Sequence, residues 1–511
     1  MKIINRSILF VLALGSLLLM SSCRRAGSTN AKVTYDYPAT LTEAQLLANP
    51  NLLGGIYAAY PGASEESLTP VPYGYEAFYI SHYNRHGSRY QPNDSRYANT
   101  LKRLQDGHQR GVLTEYGESL LPRIQLLCDS CLGHGGQLSS VGVEQLVGIG
   151  ARMGRNFREV FAQTIPEDKT APETKRRKFV SARASVVPRC GASMRAFCAG
   201  LESTYFDCFP ALEPNAVVKT DSADMAYIAY DSPEMKALSS RNASWQQDYD
   251  KFKVEHVNRD RFIQAIFKDA TGVDTLNMAI DLYWLVVGMQ DVDVPGCDLS
   301  DVFTPEELLQ CYQCVNYRMY ICNANCPRSN NIPAQSASTL LRNIIESADA
   351  AIATDTIAAH LRFGHDSNLL RLLALMHIHN AANSESDPSK YWQAWQECTL
   401  SPMAANVQLI FYRPSNPSNP SNPSNLSNPS NPSNLSNPSN PSSPSNPSNL
   451  SPPSTPSPIL VRILLNEHET LLDADLQPTD GCFYRWSDLR SFWSKQIVDN
   501  GADGIGTVNI Q

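Results

Sequence analysis

Residues 414–458 repeat Pro-Ser-Asn with an occasional leucine, and no part of that tract can join a hydrophobic core. Recurrent proline fixes φ and removes backbone donors, so the tract has neither helical nor strand periodicity and reads as an extended, mobile loop. Its flanks are different. Residues 406–412 and 459–465 are apolar, β-branched runs that read as strands. The tract is then an overgrown hairpin loop between two paired strands, with a spacer or adhesive segment as the alternative. Loop-closure entropy grows only with the logarithm of length. Extending a loop from ~4 to ~45 residues therefore costs on the order of 2 kcal/mol, which a large domain tolerates.

The remaining pattern fits around that pair. Short buried-strand runs fall at 77–83, 178–182 and 357–363. Helical spacing occupies 140–161, where Val143, Leu146, Val147, Ile149 and Met153 share one side, and recurs at 191–201 and 367–378. Strands alternating with helices predict a parallel sheet covered on both faces. Residues 202–340 are dominated by helical patterns and aromatic side chains, which predicts a mainly α-helical insertion or cap. The expected division is a linker and approach segment at 24–70, a first α/β part at 71–201, the cap at 202–340, and a second α/β part at 341–511 carrying the repeat loop.

The first residues read as an export signal. Lys2 and Arg6 precede an apolar run at 8–20, too short to span a bilayer securely. The run ends in Met20-Ser21-Ser22-Cys23, which resembles the bacterial lipobox, so Cys23 is the expected lipidated N-terminus of the mature chain, with ordinary signal cleavage near Ser22 as the alternative. The expected location is the bacterial cell envelope, with the lipid as the sole membrane contact. Thirteen cysteines minus Cys23 leave an even number, in a compartment where disulfides persist. Disulfides are expected for Cys128 with Cys131 and within Cys311, Cys314, Cys322 and Cys326. A zinc site is the alternative for the latter four. A net charge of −8 argues against nucleic acid as a partner. Any anionic substrate must find its positive charge in a local pocket.

Such a pocket is written directly after the first strand, as Arg85-His86-Gly87-Ser88-Arg89. In open α/β sheets ligands bind at the carboxyl ends of strands. Arginine forks match phosphate oxygens, and glycine lets the backbone approach closely. A histidine among arginines has its protonated form disfavoured, leaving a neutral nitrogen able to attack phosphorus.

Arg-His-Gly-x-Arg resembles the signature of the histidine acid phosphatases, in branch 2 of the histidine phosphatase superfamily. Other segments similar to that family follow in order. They are Gly136-Gln137-Leu138-Ser139-Ser140-Val141-Gly142 with Gln145; Arg183-Ala184-Ser185 with Arg189, Ser193, Phe197, Gly200 and Leu201; Phe363-Gly364-His365-Asp366-Ser367; Met403-Ala404-Ala405-Asn406; and Leu465-Asn466-Glu467. The resemblance implies a three-layer α/β/α sandwich of the phosphoglycerate mutase-like type with an inserted helical cap. It also implies hydrolysis of phosphomonoesters through a phosphohistidine. His86 is the expected nucleophile and Asp366 the proton donor. Arg85, Arg89, Arg183 and His365 are the expected phosphate contacts, and Arg189 is read as structural. No metal and no cofactor is called for, because the arginines neutralise the charge. Two departures bear on substrate. The motif ends Arg89-Tyr90-Gln91-Pro92, with its proline shifted, and the inositol polyphosphate phosphatases usually carry His-Ala-Glu where this chain has His365-Asp366-Ser367. Inositol polyphosphates are the expected substrates. Small sugar or glycerate phosphates, or a catalytically idle surface-binding protein on the same fold, are the alternatives.

Overall fold

The apolar runs become strands, and polar or very short segments supply others. In chain order these are β1 (Tyr75–Arg85), β2 (Thr164–Asp168), β3 (Ala171–Arg177), β4 (Phe179–Ala184), β5 (Ile357–Gly364), β6 (Asn406–Pro414), β7 (Leu460–Leu465), β8 (His468–Glu469) and β9 (Phe483–Arg485). The computed structural model describes residues 40–62, 68–168, 171–204, 228–415 and 458–497, all within the unit Tyr35–Gln511. The other unit, Met1–Thr34, lies outside the described residues, and with it the export signal and Cys23. So does most of the Pro-Ser-Asn tract, residues 416–457.

The main sheet has seven strands in the order β4-β5-β1-β6-β7-β8, with β9 also pairing to β7, while β2 and β3 form a separate hairpin. β4, β5 and β1 run parallel, as alternating strands and helices predict. The rest of the sheet does not. β6 lies antiparallel to β1, and β7, β8 and β9 continue antiparallel. The sheet is thus mixed: parallel where strands alternate with helices, and antiparallel where the expected hairpin pair joins it. The reason is local: β6 and β7 are consecutive and joined directly by the repeat, so they close as a hairpin with Tyr412 opposite Leu460.

Side-chain alternation along the strands makes three layers. On β1, β6 and β7 the residues Ile80, Ile410 and Leu464 enter one apolar cluster, together with Leu146 and Ile149 of the helix Ser140–Asn156 and Phe197 and Leu201 of the helix Pro188–Thr204. Their neighbours Tyr79, Leu409, Phe411 and Ile463 enter the cluster on the opposite face. There they meet Leu341 and Ile344 of the helix Ser338–Thr354, Leu369 and Leu372 of Asp366–Leu375, and Trp493 of Trp486–Gln496. The helical run read at 140–161 divides at Phe157, whose φ of −124° leaves the helical range, and resumes as Arg158–Ala162.

A third cluster is helical. It gathers Tyr97 and Leu104 of Ser95–Gln109, Leu120 and Ile124 of Glu115–Cys131, Leu282 and Tyr283 of Thr275–Val287, and Tyr312 of Pro305–Asn323. The helical cap therefore recruits two helices that precede the 202–340 segment. Among the described residues, no helix is long and apolar enough to cross a membrane.

The disulfide expectation is corrected. All eleven described cysteines are free thiols. Cys128 and Cys131, on one helix, both pack into the helical cluster. Cys311 and Cys314 join that cluster too, while Cys322 and Cys326 pack into the sheet-facing one, so the four do not converge. Among the described residues no group of His, Cys, Asp or Glu is arranged to hold a metal ion. Burial raises these thiols above their ordinary range, which leaves them protonated and acting as small apolar side chains.

Candidate active site

Three parallel strands finish at one edge. Arg85 ends β1 opposite Gly364 of β5, and Ala184 of β4 lies opposite Phe363. Beyond the strand, the His86 N–H donates to the Gly364 carbonyl (3.0 Å) and the His86 carbonyl accepts from the Ala404 N–H (3.1 Å). Met403, Ala404 and Ala405 are buried there, so this segment walls the loop on one side.

On the other side lies the helix Ser140–Asn156. The Ser139 side chain caps it by accepting from the Gly142 N–H. A Cβ on Gly87 would sit 2.6 Å from the Gly142 carbonyl oxygen, and one on Gly142 would sit 2.2 Å from that of Ser88. Both glycines are required by backbone-to-backbone approach. The Ser88 N–H donates to Gln145 Oε1 (2.9 Å), tying the loop to the helix again.

His86 is buried, and its Nδ1 lies 2.9 Å from the Gly87 carbonyl. A carbonyl only accepts, so Nδ1 carries the hydrogen and Nε2 keeps a free electron pair. Burial, then the charges of Arg85, Arg189, Arg89 and His365, push its pKa well below the ordinary 6.5. The ring is neutral and its free nitrogen is nucleophilic.

The surrounding cations are poised rather than spent. Arg85 is fully buried, and one Nη donates to the carbonyls of Ile56 (2.6 Å) and Ser401 (2.7 Å). Its Nε and other Nη find no partner among the described residues, nor do Nε of Arg89 and Nε of Arg189. Arg89 is held by Tyr57, whose hydroxyl accepts at 2.9 Å and whose ring lies 4.9 Å from the guanidinium. Buried donors without acceptors are costly unless a ligand takes them. These point to an anion.

His365 is the N-cap of the helix Asp366–Leu375, and Asp366 is its first residue. The His365 ring stands 5.7 Å from that of His86 and nearly perpendicular to it. Its Nε2 lies 3.3 Å from Ser185 Oγ, and its Nδ1 lies 3.5 Å from Arg189. Burial and then Arg189 lower its pKa to about 4, against the opposing pull of Asp366. For Asp366 burial raises the pKa, but Arg85, His365, Arg89 and the Ser367 N–H outweigh it, and the net direction is down.

Residues 84–424 match the family model of the histidine phosphatase superfamily, branch 2. The chain belongs to that family. It is accordingly a phosphatase acting on phosphomonoesters. No curated protein matches it significantly. Among solved structures it resembles the multiple inositol polyphosphate phosphatase of Bifidobacterium longum crystallised with phosphate, at 16% identity and a TM-score of 0.62, over 88% of this chain and 99% of that one. It also resembles the phytase from D. castellii, at 15% identity and a TM-score of 0.60, over 91% of this chain and 89% of that one. At such identities the likeness concerns the fold.

Within this histidine phosphatase the strand ends bring together Arg85, His86, Arg89, His365 and Asp366. Arg183 is not brought with them. It sits opposite Arg362 on β5, on the sheet face where Arg362 donates to Asn343 and Ser347 of the helix Ser338–Thr354. Its charge is felt by buried His360. Arg189, read as structural from the sequence, takes the place expected of Arg183. The helix Pro188–Thr204 starts beside the strand ends and presents Arg189 to His86 and His365 in its first turn. Asp291, which the sequence reading missed altogether, reaches the loop from the cap and accepts from Ser88 Oγ at 2.7 Å.

A pH dependence follows. A depressed His86 stays neutral, and so reactive, as pH falls through the ordinary histidine value of 6.5. On a nitroaryl phosphate, kcat/KM is expected to show no loss as pH is lowered through 6.5, with no acid limb there. A steep loss centred near that value would show that His86 is not depressed.

Proposed function

We propose that the chain is an acid phosphatase using His86 as nucleophile, with Arg85, Arg89, Arg189 and His365 binding the phosphoryl oxygens and Asp366 as general acid and base. The observation that carries this reading is a neutral buried histidine with a free Nε2, ringed by arginine donors that lack acceptors among the described residues. In the first step Nε2 attacks phosphorus, the ester P–O bond breaks, and the Asp366 proton passes to the leaving oxygen. In the second, water gives its proton to Asp366, its oxygen attacks phosphorus, and the P–N bond breaks. The arginines stabilise the charge that develops in both steps, and the amide end of the helix Asp366–Leu375 adds to this.

The proposed substrates are inositol polyphosphates. The fold likeness to an inositol polyphosphate phosphatase and a phytase favours them, and the cationic cluster suits an ester of high negative charge. Phosphate release from inositol hexakisphosphate, glucose 1-phosphate and an aryl phosphate tests this. A kcat/KM on glucose 1-phosphate above that on the inositol ester would transfer the assignment to small sugar phosphates. We further propose export and lipidation at Cys23, which lies outside the described residues; metabolic labelling with a radioactive fatty acid, lost in Cys23→Ala, tests that.

The two arginines separate cleanly. Arg189→Ala is expected to lower kcat/KM about 10²-fold, the usual worth of one charge-stabilising donor. Arg183→Ala is expected to stay within about threefold, since Arg183 shares the sheet face of Arg362 and does not stand against His86 or His365. The reverse order, measured on one aryl phosphate, would restore Arg183 to the clamp.

A further inference from the structure

One fully buried acid at the site has no role in the steps above. Asp291 ends the short 3₁₀ turn Gly288–Asp291, within the helical cap. Gln290 pins that turn, donating to the Asn51 and Val287 carbonyls and accepting from the Ala59 N–H. Gln145 Nε2 donates to Ser88 Oγ at 3.0 Å, which leaves the Ser88 hydroxyl hydrogen for Asp291 Oδ1. Asp291 Oδ2 has no partner among the described residues. The charges felt by Asp291 are Arg89 and Arg85, the same arginines proposed to bind phosphate.

Resting on that reading of the arginines, we infer that Asp291 is a positioning residue from the cap which holds the Ser88 loop and, when ionised, opposes anion binding at Arg85 and Arg89. Protonated, it keeps the Ser88 contact and leaves both arginines to the phosphoryl group. Ionised, it adds a negative charge beside the bound anion. The cap thereby sets an acidic working range through a group that touches neither nucleophile nor leaving oxygen.

The loop presents Arg85, Ser88 and Arg89, and the helix Ser140–Asn156 presents Gln145. The 3₁₀ run Pro50–Tyr57 presents Tyr57, engaged with Arg89. On the helix Thr275–Val287, Tyr283 donates to the Leu53 carbonyl and Asp281 pairs with Arg103. Across the site stand His86, His365 and Asp366, all held below their ordinary values. Burial, against Ser88, Arg89 and Arg85, raises Asp291 to about 7. Glu397, packed against Gly55 of the 3₁₀ run Pro50–Tyr57, is also raised by burial to about 7, but Asn316 and Tyr312 donate to it. It is Asp291 whose charge acts on Arg85 and Arg89, so at the arginines the window between pH 5 and 8 belongs to Asp291.

Sulfate isolates the effect, because it stays a dianion across that window, and calorimetric titration follows its binding without turnover. The wild-type chain is expected to bind sulfate roughly tenfold more weakly at pH 8 than at pH 5, a coupling of ordinary size. Asp291→Asn, which retains an acceptor for Ser88, is expected to bind it equally at both. Ser88→Ala removes a contact that favours the ionised acid and should move the wild-type midpoint to higher pH, which keeps the test alive if Asp291→Asn does not fold. Sulfate binding with the wild-type slope intact in Asp291→Asn, or an unmoved midpoint in Ser88→Ala, would overturn the inference alone. No sulfate binding at any pH would overturn the anion clamp, and the inference with it.

Discussion

Replacing His86 with alanine is expected to reduce hydrolysis of every phosphomonoester by about 10⁴-fold or more, since removing a nucleophile disables both half-reactions together. The nearest substitute would be His365, whose ring stands 5.7 Å away. But His365 Nδ1 faces Arg189 and its Nε2 faces Ser185 Oγ, so neither nitrogen is free as His86 Nε2 is. The loop should survive the change. Its backbone is fixed by Gly364 and Ala404, and its packing by the helix Ser140–Asn156, none of which depends on the imidazole. A folded but inert variant is therefore the expected result, with near-native circular dichroism. The intermediate provides a second measurement. Wild-type enzyme mixed with labelled substrate and quenched in alkali should retain label on His86, and an acid quench should lose it because phosphohistidine is acid-labile. Residual turnover within a hundredfold of wild type would refute covalent catalysis at this position.

Much of that site could be read from the chain because its parts are short and local. Arg85, His86 and Arg89 sit within five residues at a strand end, and His365-Asp366 opens a helix directly after another. Strand followed by loop or helix is a pattern that periodicity exposes. The choice between Arg183 and Arg189 was less open to it. Arg183 lies within β4 and Arg189 opens the next helix, and side chains of a strand alternate between the two faces of its sheet, so proximity in sequence does not say which arginine faces the site. Register decides this: Arg183 pairs with Arg362 and shares its face. Asp291 had no local signal at all, because its partner Ser88 is 203 residues away and the turn carrying it is four residues long. The cysteines misled for another reason. Spacing and compartment suggested bonds, but helical geometry sends Cys314 and Cys322 of one helix into different apolar clusters.

Asp366→Asn separates proton transfer from nucleophilic attack. The amide keeps the shape and its place at the first position of the helix Asp366–Leu375 but cannot give up a proton. In the free protein Arg85, His365 and Arg89 overcome burial and hold the carboxyl below its ordinary value. A bound phosphoryl dianion occupies those cations and adds negative charge, so it moves the carboxyl upward, toward the protonated form the first step needs. With an alkyl phosphate, whose leaving alkoxide is strongly basic, turnover of Asp366→Asn is expected to fall by about 10²–10⁴. With a nitroaryl phosphate the leaving oxygen needs little help, so the burst of nitrophenol should be largely kept. The same substitution removes the base that activates water. The phosphoenzyme should therefore accumulate behind that burst, visible as alkali-stable label on His86 at close to one equivalent. A burst slowed on the nitroaryl ester as much as turnover is slowed on the alkyl ester would mean that Asp366 does not supply the proton, and that the donor must be sought elsewhere around the leaving oxygen.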